Sequence, residues 1–264
     1  MRHVVMFSGG IGSYATAKRV DVRKGDDLVL LFADTKMEDD DLYRFLDESA
    51  ADIGGRLVRE SDGRTPWEVF TDVRFLGNTR VDPCSRILKR ELLRLWLEEN
   101  CAASDTTVYL GIDWTEAHRF VRAAKHWAPW RVEAPLCEAP YLTRADHIAA
   151  LSERGIAAPR LYGMGFPHNN CGGFCVKAGQ AHFALLLKTM PERYAFHEGK
   201  EEALRDYLQK DVAIMKDRVG GKTTPLTMRV FRERLQEQPD LFDVHEWGGC
   251  SCFGADDDAT GGGE

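Results

Sequence analysis

Ser8-Gly9-Gly10-Ile11-Gly12-Ser13 lies between an apolar run, His3-Val4-Val5-Met6-Phe7, and an Ala-rich segment, Tyr14-Ala15-Thr16-Ala17-Lys18-Arg19-Val20. The order reads as a strand, a tight glycine turn and the first turn of a helix. Glycine lets the backbone reach positive φ and approach a ligand closely. A helix start leaves several N–H groups without intrahelical acceptors, at the positive end of the helix dipole. With Ser8 and Ser13 adding hydroxyl groups, the stretch predicts a phosphate cradle. An ordinary strand-to-helix turn would use the same glycines.

The dinucleotide fingerprint needs G-x-G-x-x-G, and the Walker loop needs a Gly-Lys-Ser/Thr ending; neither is present. The run instead resembles the PP-loop, S-G-G-x-D-S, of the adenine-nucleotide α-hydrolase superfamily. Gly12 stands where that pattern carries aspartate. The resemblance implies ATP held through Ser8, Gly9, Gly10, Gly12 and Ser13, with Mg2+ accompanying the phosphates.

Composition narrows the class. The chain has 264 residues, 44% of them hydrophobic, enough for one large α/β domain with an appendage. No apolar run approaches the ~20 residues of a membrane span. The first strand begins directly after Met1 with no signal-peptide pattern, so a cytoplasmic location is expected. The formal net charge is −7, which argues against non-specific coating of nucleic acid but leaves room for a local basic groove. Seven cysteines, an odd number, point to metal or redox chemistry rather than a disulfide framework.

Further apolar runs are expected to form parallel strands: Asp27–Thr35, Arg56–Glu60, Thr107–Ile112 and Val132–Leu136. Between them, Glu38–Ile53 reads as a helix with Leu42, Phe45, Leu46 and Ile53 on one face, stopped by Gly54-Gly55. Thr65-Pro66 and Thr143 with Asp146 read as helix starts. A helix opened by Pro83-Cys84-Ser85 is expected to bury Ile87, Leu88, Leu92, Leu95 and Trp96. Arg86, Lys89, Arg90 and Arg94 fall on its other sides, as a solvated face or a substrate-facing one. The pattern predicts a doubly wound, mostly parallel five-stranded α/β sheet. Ligands in such sheets sit at the carboxyl ends of the strands. The phosphate loop, Phe32 and Ala33 (for adenine), Asp34 (for ribose or a metal, or as a helix cap) and Gly111 all fall there.

The ordered landmarks add a second, more specific resemblance. Asp34-Thr35 with Glu38, Pro83-Cys84-Ser85-Arg86-Ile87-Leu88-Lys89, Leu110-Gly111-Ile112, Pro135-Leu136 and Leu161-Tyr162 before Cys171 and Cys175 are similar to the phosphoadenylylsulfate (PAPS) reductase family. Adenylylsulfate reductases of that family carry an iron–sulfur cluster on a double cysteine and a later pair. The resemblance therefore implies Cys84, Cys171 and Cys175 as ligands of a [4Fe-4S] cluster, with zinc as the alternative. Here the double cysteine is Pro83-Cys84, and the later pair is spaced C-x3-C. Cys250 or Cys252 would supply a fourth ligand, or one iron would stay open. Cys101 and Cys137 read as buried thiols.

After Cys175, helices are expected over Ala178–Met190, Lys200–Lys216 and Arg229–Gln236, with a turn at Gly220-Gly221. The division expected is a nucleotide-binding domain over 1–162, a helical, cysteine-bearing region over 163–254, and a disordered acidic tail over 255–264.

These expectations converge on an ATP pyrophosphatase that activates an acceptor for sulfur incorporation. Asp34, Arg86, Lys89 and Cys252 would be its catalytic residues. The ATP pyrophosphatase of DNA phosphorothioation resembles this plan. It implies a nucleic-acid acceptor presented with a partner protein, and a sulfur donor such as a cysteine desulfurase. Two alternatives stay open: a phosphoadenylylsulfate or adenylylsulfate reductase, and a non-catalytic nucleotide-sensing subunit. The reductases end in Glu-Cys-Gly, whereas this chain has Gly249-Cys250-Ser251-Cys252-Phe253.

Overall fold

The alternation of side chains along the two central strands sets the architecture. In the computed structural model, which describes residues 1–237 except Lys24 and Thr79, β1 (Arg2–Met6) and β2 (Asp27–Ala33) are buried on both faces. Val4, Met6, Val29, Leu31 and Ala33 pack on one face of the sheet, and Val5, Phe7, Leu30 and Phe32 on the other. That is why both strands read as unbroken apolar runs.

Five strands form one parallel sheet in the order β3-β2-β1-β4-β5, with β3 at Arg56–Glu60, β4 at Thr106–Tyr109 and β5 at Arg131–Glu133. Helices α1 (Ile11–Arg19) and α2 (Asp40–Ile53) cover one face. Gly54 stops α2 in the left-handed region. Helix α3 (Pro66–Asp72) opens on a Thr65/Glu68 capping box. The run α4 (Pro83–Ser85), a π-helical turn (Arg86–Glu91) and α5 (Leu92–Asn100) then reaches the opposite face, where α6 (Phe120–His126) joins it. Helix α7 (Arg144–Glu153) opens on the Thr143/Asp146 box and returns to the first face.

The π turn corrects the expected face of this helix. It holds more residues per turn than an α-helix, so positions beyond it rotate away from a 3.6-residue register. Leu95, expected in the core, is 56% exposed, while Lys89 and Arg90 are turned inward and buried. Leu88 and Trp96 are buried as expected, and Leu93 and Leu97 join them in place of Leu95.

A second core lies beside the sheet. It is built from α8 (Arg160–Gly163), α9 (Gln180–Thr189), α10 (Pro191–Leu208), a hairpin of β6 (Met215–Val219) and β7 (Lys222–Leu226), and α11 (Met228–Glu237). The expected helix over Lys200–Lys216 is thus corrected. Its first part belongs to α10, which ends at a left-handed Gln209, and its last residues start the hairpin that turns at Gly220-Gly221. Glu201, fully buried, accepts the backbone N–H of Ile214 (3.0 Å) and Met228 (2.6 Å), tying α10 to both following elements. No described helix is long and apolar enough to cross a membrane. Cys250, Cys252 and the expected acidic tail lie outside the described residues.

His197 sits at the centre of this core. Its Nδ1 accepts the Trp67 indole N–H at 3.0 Å, and its ring stacks on Phe174 with centroids 3.7 Å apart. Burial, and then the charge of Arg193, push its pKa down to about 3. An unfolded histidine titrates near ~6.5. As pH falls through that value the unfolded chain binds the proton first, so stability drops as the solution is acidified. Between about pH 6.5 and pH 5 this group should remove about 2 kcal/mol of stability. His197→Gln keeps an acceptor for Trp67 and should flatten that part of the slope in urea titrations at the two pH values; an unaltered slope would refute the assignment. For the π turn, Leu88→Ala should cost about 2–5 kcal/mol. Leu95→Ala should stay within about 0.5 kcal/mol, and equal losses would contradict the observed register.

Candidate active site

Strand order reverses on either side of β1, which puts the topological switch point of the sheet at the carboxyl ends of β1 and β4. The Ser8–Ser13 loop leaves β1 at this point. Gly9 holds φ at +73°, and a Cβ there would come within 2.9 Å of Leu42 Cγ, so the turn requires glycine. Gly111 crosses directly behind: a Cβ on it would lie 3.2 Å from the Ser13 nitrogen. The Ser8 and Ser13 hydroxyls are 3.4 Å apart, and Ser13 Oγ donates to the Gly10 carbonyl at 2.8 Å. Helix α1 starts with no side-chain cap and no acidic residue in its first turn. Those are the conditions for an anion at its N-terminus. A Cβ at Gly12 would meet only the Gly111 carbonyl, at 3.5 Å, so steric crowding does not explain why aspartate is missing.

The loop is braced from the second core. The Ile11 N–H donates to the Tyr162 hydroxyl at 3.3 Å, and Asn169 Nδ2 donates to the Gly9 carbonyl at 2.9 Å. Asn169 is buried, and its Oδ1 has no hydrogen-bond partner among the described residues. Sequence reasoning missed Asn169, because a lone amide two residues before a cysteine carries no pattern.

At the end of β2, Phe32 and Ala33 are buried beside the loop. The Asp34 carboxylate accepts the Lys36 N–H (2.8 Å), Lys36 Nζ (3.0 Å) and the Tyr43 hydroxyl (2.9 Å). Burial raises its pKa, but these three bonds outweigh burial and hold it below the usual carboxylate range. In this state Asp34 orders the turn that follows it.

That turn delivers Glu38 and Asp39, which join the two cores. Glu38 accepts the Thr35 hydroxyl at 2.9 Å and the Cys171 backbone N–H at 2.6 Å, and lies 3.6 Å from Lys89 Nζ; both charged side chains are at most 5% exposed. Asp39, fully buried, caps α2 and takes both arms of Arg160 at 2.8 Å. Arg193 reaches it at 3.4 Å while donating to the Gly172 carbonyl at 2.8 Å. Residues 171–173 all hold positive φ (50°, 58° and 82°). Gly172 is required, since a Cβ there would fall 2.3 Å from the Arg193 guanidinium. Positive φ at the non-glycine Cys171 is strained, and such strain concentrates at functional sites. Arg160 and Arg193 gave no sequence signal, because both are partly open to solvent and their shared partner is remote in sequence, so they read like any surface arginine.

The cysteines expected to act together do converge. Cys84, Cys171 and Cys175 line one cavity with Thr35, Asp82 and Lys89. Arg86, by contrast, is half-exposed and pairs with Glu91 at 3.1 Å. Cys101 is buried in the core against α5 and Cys137 packs at its edge. Among the described residues no three His, Cys, Asp or Glu side chains are grouped to hold a single metal ion.

No family model matches the chain, and no curated protein matches it. Similar solved structures include phosphoadenylyl-sulfate (PAPS) reductase from Candida auris, a phosphate complex, at 14% identity and TM-score 0.40, covering 62% of this chain and 78% of that one. Another is the U34-tRNA thiolase NcsA from Methanococcus maripaludis with its [4Fe-4S] cluster, at 14% identity and TM-score 0.36, covering 89% and 81%. Values this low leave the fold to stand on the chain's own topology.

The buried knot is testable by contrast. Asp39→Asn removes the buried carboxylate that Arg160 and Arg193 share; because Arg160 stays 48% exposed and solvated, the loss should be about 1–3 kcal/mol in chemical denaturation. Asp47→Asn removes an exposed pair with Arg59 and should cost less than about 1 kcal/mol. Similar losses for the two variants would show that Asp39 is not a structural hub.

Proposed function

We propose that the protein is a PP-loop ATP pyrophosphatase that activates a nucleic-acid acceptor for sulfur incorporation. The single observation that supports this reading is that an uncapped helix start after β1 is tied, through the Asn169 bond to the Gly9 carbonyl, to the loop that brings Cys171 and Cys175 into one cavity with Cys84 and the buried Lys89. The resemblance of the Ser8–Ser13 loop to the PP-loop and of the landmarks to the PAPS reductase family supports the same reading.

ATP enters with Mg2+, its phosphates against the Ser8–Ser13 loop and its adenine beside Phe32 and Ala33. An acceptor oxygen attacks the α-phosphorus, the α–β phosphoanhydride bond breaks, and pyrophosphate leaves. N–H groups at the start of α1 and the Lys89 ammonium stabilise the charge that builds on the phosphates. Sulfide, released from a donor persulfide by a thiol reductant that is oxidised to a disulfide, then attacks the activated acceptor centre, and AMP leaves with the oxygen. Cys84, Cys171 and Cys175 would hold a [4Fe-4S] cluster, whose chemistry would be to bind a sulfide next to the activated acceptor. Glu38 fixes both the Cys171 backbone and Lys89, so the charge-stabilising cation and the sulfur-handling loop share one anchor. The acceptor that the resemblance favours is DNA destined for phosphorothioation, with a partner protein presenting it.

The test pairs two variants. Wild-type protein, purified without oxygen, should convert ATP to AMP and pyrophosphate. Gly10→Val places a side chain against Tyr162 and the phosphate path, and should weaken ATP binding at least about tenfold. Cys171→Ser should leave ATP binding intact and abolish sulfur incorporation. Formation of ADP instead of AMP, or unchanged ATP affinity in a folded Gly10→Val protein, would refute the reading.

A further inference from the structure

A second cavity, of about 320 Å³, lies away from the cysteine cavity, between the loop after α3, the end of α10 and the β6–β7 hairpin. Its volume is in the range that takes a nucleotide-sized group. Arg74, Lys210 and Lys216 line it, along with Phe75, Asn78 and Thr223. Among the described residues, no carboxylate lies within ion-pair distance of these three cations. The nearby acids are already matched: Asp72 to Arg64 at 2.8 Å, Asp211, which also lines the cavity, to Arg205 at 3.0 Å, and Asp217 to Arg234 at 2.6 Å. On a chain of net charge −7 this leaves a local positive field with no internal partner.

The cations sit among aromatic faces. Phe75 is 40% exposed and Tyr207 is 49% exposed. The Arg74 guanidinium lies 4.9 Å over the Tyr207 ring and donates to its hydroxyl at 2.9 Å. Arg74 itself holds φ at +51°, a strained value for a non-glycine residue. Tyr207 lies outside the cavity lining with Arg74 over its ring, so the open aromatic face of the cavity is that of Phe75; cations for phosphates beside an open aromatic face for a base are the composition of a single-strand binding groove. A lone phosphate would need no aromatic wall, and a duplex would hide its base faces.

Distance links this cavity to the cysteine cavity. Asn78 lines the second cavity and Asp82 the cysteine cavity, four residues apart. A fully extended chain of that length spans at most about 14 Å. The walls of the two cavities therefore approach within that distance at Asn78 and Asp82.

We propose that this cavity binds a single-stranded segment of the nucleic-acid acceptor, its phosphates on Arg74, Lys210 and Lys216 and a base on Phe75. The assignment rests on the proposed function for the class of acceptor, and on the cavity alone for the place. Binding of a short labelled single-stranded oligonucleotide to the full chain, followed by fluorescence anisotropy across a salt series, tests it. Lys210→Gln with Lys216→Gln should weaken binding at least about tenfold and flatten the salt dependence. Phe75→Ala should weaken binding about tenfold with the salt dependence kept. ATP affinity, measured on the same samples, should be unchanged in both variants. Wild-type protein that does not bind the oligonucleotide, or variants that bind it like wild type, would overturn the proposal. So would inorganic polyphosphate displacing the oligonucleotide while Phe75→Ala has no effect, since that marks a simple anion site. ATP cleavage without oligonucleotide binding sinks this inference and leaves the pyrophosphatase reading standing; oligonucleotide binding through these residues without ATP cleavage does the reverse.

Discussion

Two adjacent carboxylates, Glu38 and Asp39, are buried where the sheet meets the second core, and the site depends on how they are satisfied. Each is an expensive group to remove from water. Their partners come from remote parts of the chain: Lys89 from the π turn, Arg160 from α8, Arg193 from α10, and the Cys171 N–H from the cysteine loop. A buried ion pair is weak evidence for stability as such. Its consequence here is geometric: none of these elements can shift without leaving a charge unpaired in the interior.

The same knot explains how two chemically distinct loops are tied to each other. The phosphate loop follows from β1 and needs little beyond glycine and a helix start. The cysteine loop has three successive residues at positive φ, a conformation that does not persist unless its surroundings impose it. Arg193 imposes it from one side through the Gly172 carbonyl, and Glu38 from the other through the Cys171 N–H. Asn169 then carries the constraint to the Gly9 carbonyl of the phosphate loop. The π turn belongs to the same arrangement, since it swings Lys89 inward to face Glu38.

The sheet was legible because its information is local. Unbroken apolar runs at His3–Phe7 and Asp27–Ala33, glycine punctuation, and the capping boxes at Thr65 and Thr143 each mark an element by themselves. The glycine turn from β1 into α1 was legible for the same reason, and Cys84, Cys171 and Cys175, grouped by the family resemblance, line one cavity. What escaped depends on tertiary context. The burial of Lys89 and Arg90 and the exposure of Leu95 follow from a change of helical pitch that no 3.6-residue pattern encodes. The hairpin after α10 was hidden in a charged stretch, because Lys216, Asp217 and Arg218 alternate too weakly to outweigh the helical reading. The arginines that clamp Asp39 carry no mark in sequence, since their partner lies more than a hundred residues away.

The central claim is that nucleotide phosphates and the three-cysteine cavity occupy one rigid crevice. Cysteine alkylation rates, mapped residue by residue by mass spectrometry with and without a non-hydrolysable ATP analogue, test it directly. Bound analogue is predicted to slow alkylation at Cys84, Cys171 and Cys175 together while leaving the rate at Cys101, on the far face of the sheet core, unchanged. Identical rates with and without the analogue, or protection confined to Cys101, would contradict the account.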